Sequence, residues 1–100
     1  MLFLAVAAGF IFGGVTPSAA QSAKETDCRY QARVVAAVQE ARLDRVRERS
    51  VAAHVAKNAS WPEKYNAVIP LITPWVYETR MRDIRNKDLA DAWLELCLQN

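Results

Sequence analysis

The chain is poor in the residues that site chemistry usually needs. Among 100 residues there is one histidine and there are two cysteines. His54 alone cannot complete a tetrahedral metal set with Cys28 and Cys97. No nucleophile motif stands near it in sequence. The three glycines, Gly9, Gly13 and Gly14, all lie near the start, and no glycine-rich phosphate loop occurs. Period-2 alternation is absent, which excludes half-buried strands, and no segment repeats. Thirteen basic and eleven acidic residues leave a net charge of +2. That excess is too small to argue for nucleic acid or for strong attraction to a membrane surface. These absences predict a protein that is not an enzyme and uses no cofactor and no metal.

What is present begins with an apolar run. Met1 to Ala20 hold 14 residues of the hydrophobic class and no charge. Leu2–Val15 is uninterrupted by any polar residue but shorter than the ~20 residues a spanning helix requires. Thr16-Pro17-Ser18-Ala19-Ala20 then supplies a helix breaker and a small-x-small site. The pattern predicts a signal peptide over 1–20 with Gln21 as the new N-terminus, leaving no stable membrane span. No Lys or Arg precedes the run, so an uncleaved anchor and a buried hydrophobic arm remain as alternatives.

Export sets how the cysteines are read. In an oxidising compartment two cysteines in a small domain pair. A Cys28–Cys97 disulfide would close a loop of about 70 residues, worth on the order of 4 kcal/mol in the chain-entropy model. After a flexible, frayed polar lead over 21–26, Thr26 or Asp27 can cap a helix whose stripe is Tyr30, Val34, Ala37, Val38 and Ala41. Arg45 breaks that stripe, so the helix ends near Leu43. Val51, His54, Val55 and Asn58 mark a second helix, capped by Asp44 or Ser50 and closed by Asn58. Ser60-Trp61-Pro62-Glu63 reads as a capping box with proline in the first turn. It predicts a helix over 61–69, a proline-defined bend and a helix over 74–83, or one kinked helix. Asn86 is expected to cap a last helix with the stripe Leu89, Ala92, Trp93, Leu96 and Cys97. The fold expected for 27–100 is all-α: a compact bundle of four to five short helices, with the first and last joined by the disulfide.

Two kinds of surface invite attention. Arg42, Arg45 and Arg49 would share one face if their helix continued, giving an anion-binding edge. The bland alternative is a solvated face neutralised by Asp44–Arg47 and Arg45–Glu48. Arg80, Arg82 and Arg85 pose the same choice against Glu78 and Asp83. Trp61, Trp75 and Trp93 are expected mainly as core. The stretch from Ile69 to Tyr77 carries two prolines and too many apolar side chains to turn all of them inward. Leu71, Trp75 or Tyr77 should remain exposed and form a partner surface. Asp91 and Glu95 are like charges at i,i+4, a poor structural pair, and Asn58-Ala59-Ser60 matches a glycosylation sequon.

Cys28-Arg29-Tyr30-Gln31, the run Val34 to Gln39, Ala41-Arg42, Trp61-Pro62, Tyr65-Asn66, Pro74-Trp75-Val76-Tyr77, Trp93 and Cys97 together resemble small periplasmic helical proteins of Gram-negative bacteria, particularly alphaproteobacteria. In size, helicity and single disulfide the chain is also similar to periplasmic acid-stress chaperones, although its tryptophan and cysteine spacings depart from theirs. The resemblance implies a periplasmic or secreted protein and carries no activity with it. The absence of catalytic constellations beside the aromatic, proline-broken segment predicts an interaction protein, an accessory subunit, inhibitor or immunity-type factor with a protein partner. The alternative is an acid-stress or holdase-type chaperone.

Overall fold

The computed structural model describes residues 18–100. The apolar run lies outside the described residues, and with it all of the expected signal peptide except Ser18-Ala19-Ala20. Among the described residues five helices follow one another: α1 (Ala19–Leu43), α2 (Val51–Lys57), α3 (Ile69–Glu78), α4 (Met81–Asn86) and α5 (Leu89–Gln99). Short 3-10 stretches at Glu48–Ser50 and Glu63–Val68 lead into α2 and α3. No strand occurs among the described residues, and the fold is the all-α bundle that the periodicity predicts. α1 is the spine, and α2, α3, α4 and α5 all pack against it.

α1 starts earlier than expected. Ser18 Oγ accepts from the Gln21 amide at 3.2 Å, while Gln21 Oε1 accepts from the Ser18 amide at 3.0 Å. This reciprocal cap replaces Thr26 and Asp27. Residues 21–26, read from sequence as a frayed lead, are helical with exposed side chains. Neither Gly nor Pro interrupts them, and Ala, Lys and Glu favour helix. Cys28, Ala32, Val34, Val35, Val38 and Ala41 are buried along the helix. It ends at Leu43, as the stripe indicated. Arg45 takes a left-handed φ of 62°, its amide bonds to Arg42 O at 3.1 Å, and the Val46 amide bonds to Ala41 O at 2.9 Å. These two bonds terminate the helix by satisfying carbonyls of its last turn.

The prolines act elsewhere than expected. Pro62 is extended (ψ 145°) and Ser60 caps nothing; instead its carbonyl accepts from Arg33 Nη1 at 3.0 Å. Trp61 precedes a proline and is therefore biased away from helix, so the predicted helix over 61–69 is a 3-10 segment that begins only at Glu63. Pro70 then sits in the first turn of α3, where its missing N–H leaves no bond unmade. Pro74 lies inside α3 without ending it; beside it, Thr73 Oγ1 donates to Ile69 O at 2.6 Å. The break comes at Thr79 and Arg80, both extended. The helix predicted over 74–83 is thus divided between α3 and α4. Asp88, rather than Asn86, caps α5, its carboxylate accepting from the Asp91 amide at 2.9 Å. Asn86 closes α4 by donating to Arg82 O at 2.8 Å.

The core is aliphatic. Val34, Val35, Val38, Ile69, Ile72 and Val76 are buried together with Ala41, Val51, Val55, Tyr65, Ile84 and Leu89. The tryptophans are not its centre, contrary to expectation: Trp61 and Trp93 pack at its margin, and Trp75 is 36% exposed. The indole N–H groups of Trp61 and Trp93 explain their placement, since each needs an acceptor that the valine-rich interior lacks. Trp61 Nε1 donates to Asn66 Oδ1 at 2.8 Å and Trp93 Nε1 to Gln31 Oε1 at 3.0 Å. The expected disulfide is formed, joining buried Cys28 on α1 to Cys97 on α5 (S–S 2.04 Å). α5 is turned slightly from its predicted stripe: Leu89, Ala90, Trp93, Leu94 and Cys97 lie inward, whereas Ala92 and Leu96 are exposed.

One glutamine fastens the α4–α5 corner. Gln39 Nε2 donates to Ile84 O at 2.7 Å and Lys87 O at 2.8 Å, and Gln39 Oε1 accepts from the Leu89 amide at 3.2 Å. The side chain thereby serves the end of one helix and the start of the next, where backbone groups have no partner within their own helix.

Candidate interaction surface

Leu71 and Trp75 stand one turn apart on α3, on the same face. Leu71 is 76% exposed. The Trp75 ring meets Trp93 of α5 at a centroid distance of 5.9 Å and a 36° tilt. Leu96, one turn beyond Trp93, is 58% exposed. The four side chains form an apolar strip across two helices. Beside Trp93 and Leu96, a cleft of about 310 Å³ is completed by Gln31, Cys97 and Asn100. Of the three residues expected at a partner surface, Leu71 and Trp75 are therefore presented outward. Trp93 and Leu96 extend the strip, and sequence reasoning had assigned both to the buried stripe of the last helix.

Tyr77 does not belong to it. Its hydroxyl donates to Val46 O at 2.6 Å, and the Arg42 guanidinium lies 5.2 Å from its ring centroid. Burial raises the phenol pKa, Arg42 opposes that shift and Glu48 adds to it. The side chain pins α3 to the turn after α1. The predicted arginine edge is also dispersed, because the helix stops at Leu43. Arg42 is stacked on Tyr77 and partly buried, Arg45 occupies the left-handed turn, and Arg49 lies in the 3-10 stretch before α2. They share no helical face. Among the described residues the ion pairs are Glu25–Arg29 and Asp83–Lys87, both 3.7 Å. The first has the favourable i,i+4 order, Glu N-terminal to the cation. Asp44–Arg47, Arg45–Glu48, Glu78–Arg82 and Arg80–Asp83 are not formed.

A polar chain that runs from Tyr65 to Trp93 of the strip was not anticipated. Tyr65 Oη donates to Asp27 Oδ1 at 2.6 Å, Gln31 Nε2 donates to Asp27 Oδ2 at 2.9 Å, and Gln31 accepts from Trp93. The chain ties the 3-10 segment before α3 to α1 and α5. The hydrogen bond to Asp27, with burial and the Asp27 charge, pushes the Tyr65 phenol up to about 12. The i,i+4 spacing of Asp27 and Gln31 was the one local hint of it. His54 is exposed on α2 and borders an open groove of about 420 Å³ with Glu40, Asp44 and Asn58. No Ser, Thr, Cys or Lys side chain lines that groove. Among the described residues no three His, Cys, Asp or Glu side chains come together as a metal site.

No described helix is long and apolar enough to cross a membrane. No family model matches the chain, and no curated protein or solved structure is significantly similar to it.

Proposed function

We propose that the protein is an exported, non-enzymatic interaction module of the periplasm, an accessory subunit, inhibitor or immunity-type factor that binds a protein partner through Leu71, Trp75, Trp93 and Leu96. The exposure of Leu71 beside Trp75 carries this reading. Fully burying a leucine is worth about 1.5–3 kcal/mol, and this fold leaves Leu71 three-quarters in solvent while its core closes without it. A contiguous apolar strip of this kind is a feature of binding faces. The apolar leader and the Cys28–Cys97 disulfide support export to an oxidising compartment.

The test is mild cross-linking in the native compartment, followed by affinity capture and mass spectrometry, with wild type and Leu71→Ser run side by side. One stoichiometric partner that disappears with Leu71→Ser is the expected result. Retention of the same partner by the variant overturns this choice of face. Many substoichiometric partners that multiply at acid pH, with dye binding and altered tryptophan fluorescence near pH 3, support a chaperone instead.

A further inference from the structure

The two sulfurs of the disulfide differ in access. Cys28 is buried on α1. Cys97, near the end of α5, is half-buried and lines the cleft of about 310 Å³ with Gln31, Trp93, Leu96 and Asn100. That end of α5 has little else to hold it. α5 runs beside α1, yet Leu89 in its first turn is its one buried side chain. Ala90, Trp93, Leu94 and Cys97 are half-buried, and Leu96 and Leu98 are exposed. The Gln39 clamp reaches no further than the Leu89 amide. Beyond it, among the described residues, α5 has no ion pair, and its side-chain hydrogen bond to another helix runs from Trp93 Nε1 to Gln31 Oε1. The 3.9 Å approach of Cys97 Sγ to Gln31 Oε1 is a contact only, since a disulfide sulfur has no proton to donate. Helix ends fray, and turns with few buried apolar contacts open first. The disulfide is therefore the main tether of the last two turns.

We propose that Cys97 Sγ is a thiol–disulfide exchange site for a protein dithiol, and that reduction there releases α5 beyond Leu89. A thiolate of the dithiol attacks Cys97 Sγ. The bond to Cys28 breaks as the intermolecular disulfide forms, and Cys28 leaves as a thiolate that takes up a proton. The second thiol of the dithiol, deprotonated, then attacks the sulfur of the first. Cys97 leaves as a thiolate and is protonated from water. The dithiol is oxidised by two electrons and the Cys28–Cys97 pair is reduced by two. Attack on Cys28 is closed by its burial. The functional consequence rests on the interaction reading above. Trp93 and Leu96 belong to the strip, and Trp75 packs on Trp93. Once the end of α5 leaves, Leu71 and Trp75 remain without them, so the oxidised protein holds the complete face and the reduced protein does not.

The test has two arms on the folded, oxidised protein. In the first, thioredoxin whose second active-site cysteine is replaced by serine serves as the probe, because it stalls at the mixed disulfide. Peptide mass spectrometry should find the probe on Cys97 at least about tenfold more often than on Cys28. In the second, amide hydrogen exchange and indole NMR compare the oxidised protein with the protein reduced by dithiothreitol. Amides from Trp93 to Gln99 should lose protection at least about tenfold, while those of α1 between Ala32 and Ala41 and those of α3 keep theirs. The Trp75 and Trp93 indole resonances should move, with Trp61, held on Asn66, as the internal reference. Cys97→Ser, which cannot close the bond, should show the same exchange pattern without reductant. A mixed disulfide on Cys28, or none at all, overturns the exchange site. Unchanged α5 protection on reduction, or loss of helix along the whole chain, overturns the release. The interaction reading stands or falls separately, on whether Leu71→Ser loses the cross-linked partner of the oxidised protein.

Discussion

Gln39 should carry more stability than its half-exposed position suggests. Replacing it with alanine removes two part-buried hydrogen bonds and one at the solvent edge. At about 1 kcal/mol for each part-buried bond and less for the exposed one, the gross loss is about 2 kcal/mol. Alanine returns a few tenths of a kcal/mol in helix propensity, so the net destabilisation is roughly 1.5–2 kcal/mol, or a fall of ~10 °C in Tm for a domain of this size. Gln39→Glu is the sharper probe. It keeps the shape and the acceptor for the Leu89 amide, but a carboxylate cannot donate to Ile84 O and Lys87 O and is repelled by both. At neutral pH it should be at least as destabilising as Gln39→Ala. Its acid form can donate, so its folded-state pKa lies above the unfolded glutamate value of about 4.3. The variant therefore recovers stability as pH falls toward 4 and loses it as pH rises through the carboxylate range. Urea denaturation followed by far-UV circular dichroism measures all three proteins. A Gln39→Glu protein as stable as wild type at pH 7, or a Gln39→Ala protein within about 0.3 kcal/mol of it, would refute the claim that one amide fastens the α4–α5 corner, since either falls below the 1 ± 0.5 kcal/mol expected even of a single bond.

The double change Cys28→Ala with Cys97→Ala should cost about 4 kcal/mol, because it frees a loop closed across 69 positions; a chemical-denaturation midpoint close to wild type would count against the staple. Arg45→Gly should stabilise the fold by about 0.5–1 kcal/mol, since it removes the side-chain penalty at a left-handed φ of 62°, and thermal unfolding reads the sign directly. Tyr65 ionises near 12 in the fold, above its ordinary value of 10.0. Its contribution to stability is thus complete below about pH 10 and is lost as pH rises toward 12. Ultraviolet titration should show a phenolate step near pH 12 that vanishes in Tyr65→Phe. Leu71→Ser should change stability by less than about 0.5 kcal/mol, because the side chain is already mostly in water; a larger loss in thermal unfolding would move Leu71 from the binding face into the core.

Local pattern by itself determined the helical class, the end of α1 at Leu43 and the inward Val51 and Val55 of α2, though not the exposure of His54 and Asn58 on the same predicted face. The cysteine count, rather than any local rule, left Cys28–Cys97 as the one possible pair. Local pattern also marked Leu71 and Trp75 as side chains that could not both be turned inward. These features follow from short-range physics: helical periodicity, the cost of carrying a charged side chain into the core, and the entropy of a crowded apolar stretch. The tertiary structure decided the rest. Pro70 and Pro74 look like breakers in isolation, yet neither ends α3; Pro70 falls in the first turn, and the break moves to Thr79–Arg80. Trp61 and Trp93 lie at the edge of the core because their N–H acceptors, Asn66 and Gln31, stand at its margin. The Tyr65–Asp27, Trp93–Gln31 and Gln39–Lys87 bonds join residues 38, 62 and 48 positions apart. No local rule pairs groups at such distances. They meet only because α1 is one uninterrupted spine against which every later helix must bury its apolar side. The same packing dispersed the arginine edge, moved Tyr77 off the candidate surface, and set Trp75 against Trp93 to complete it.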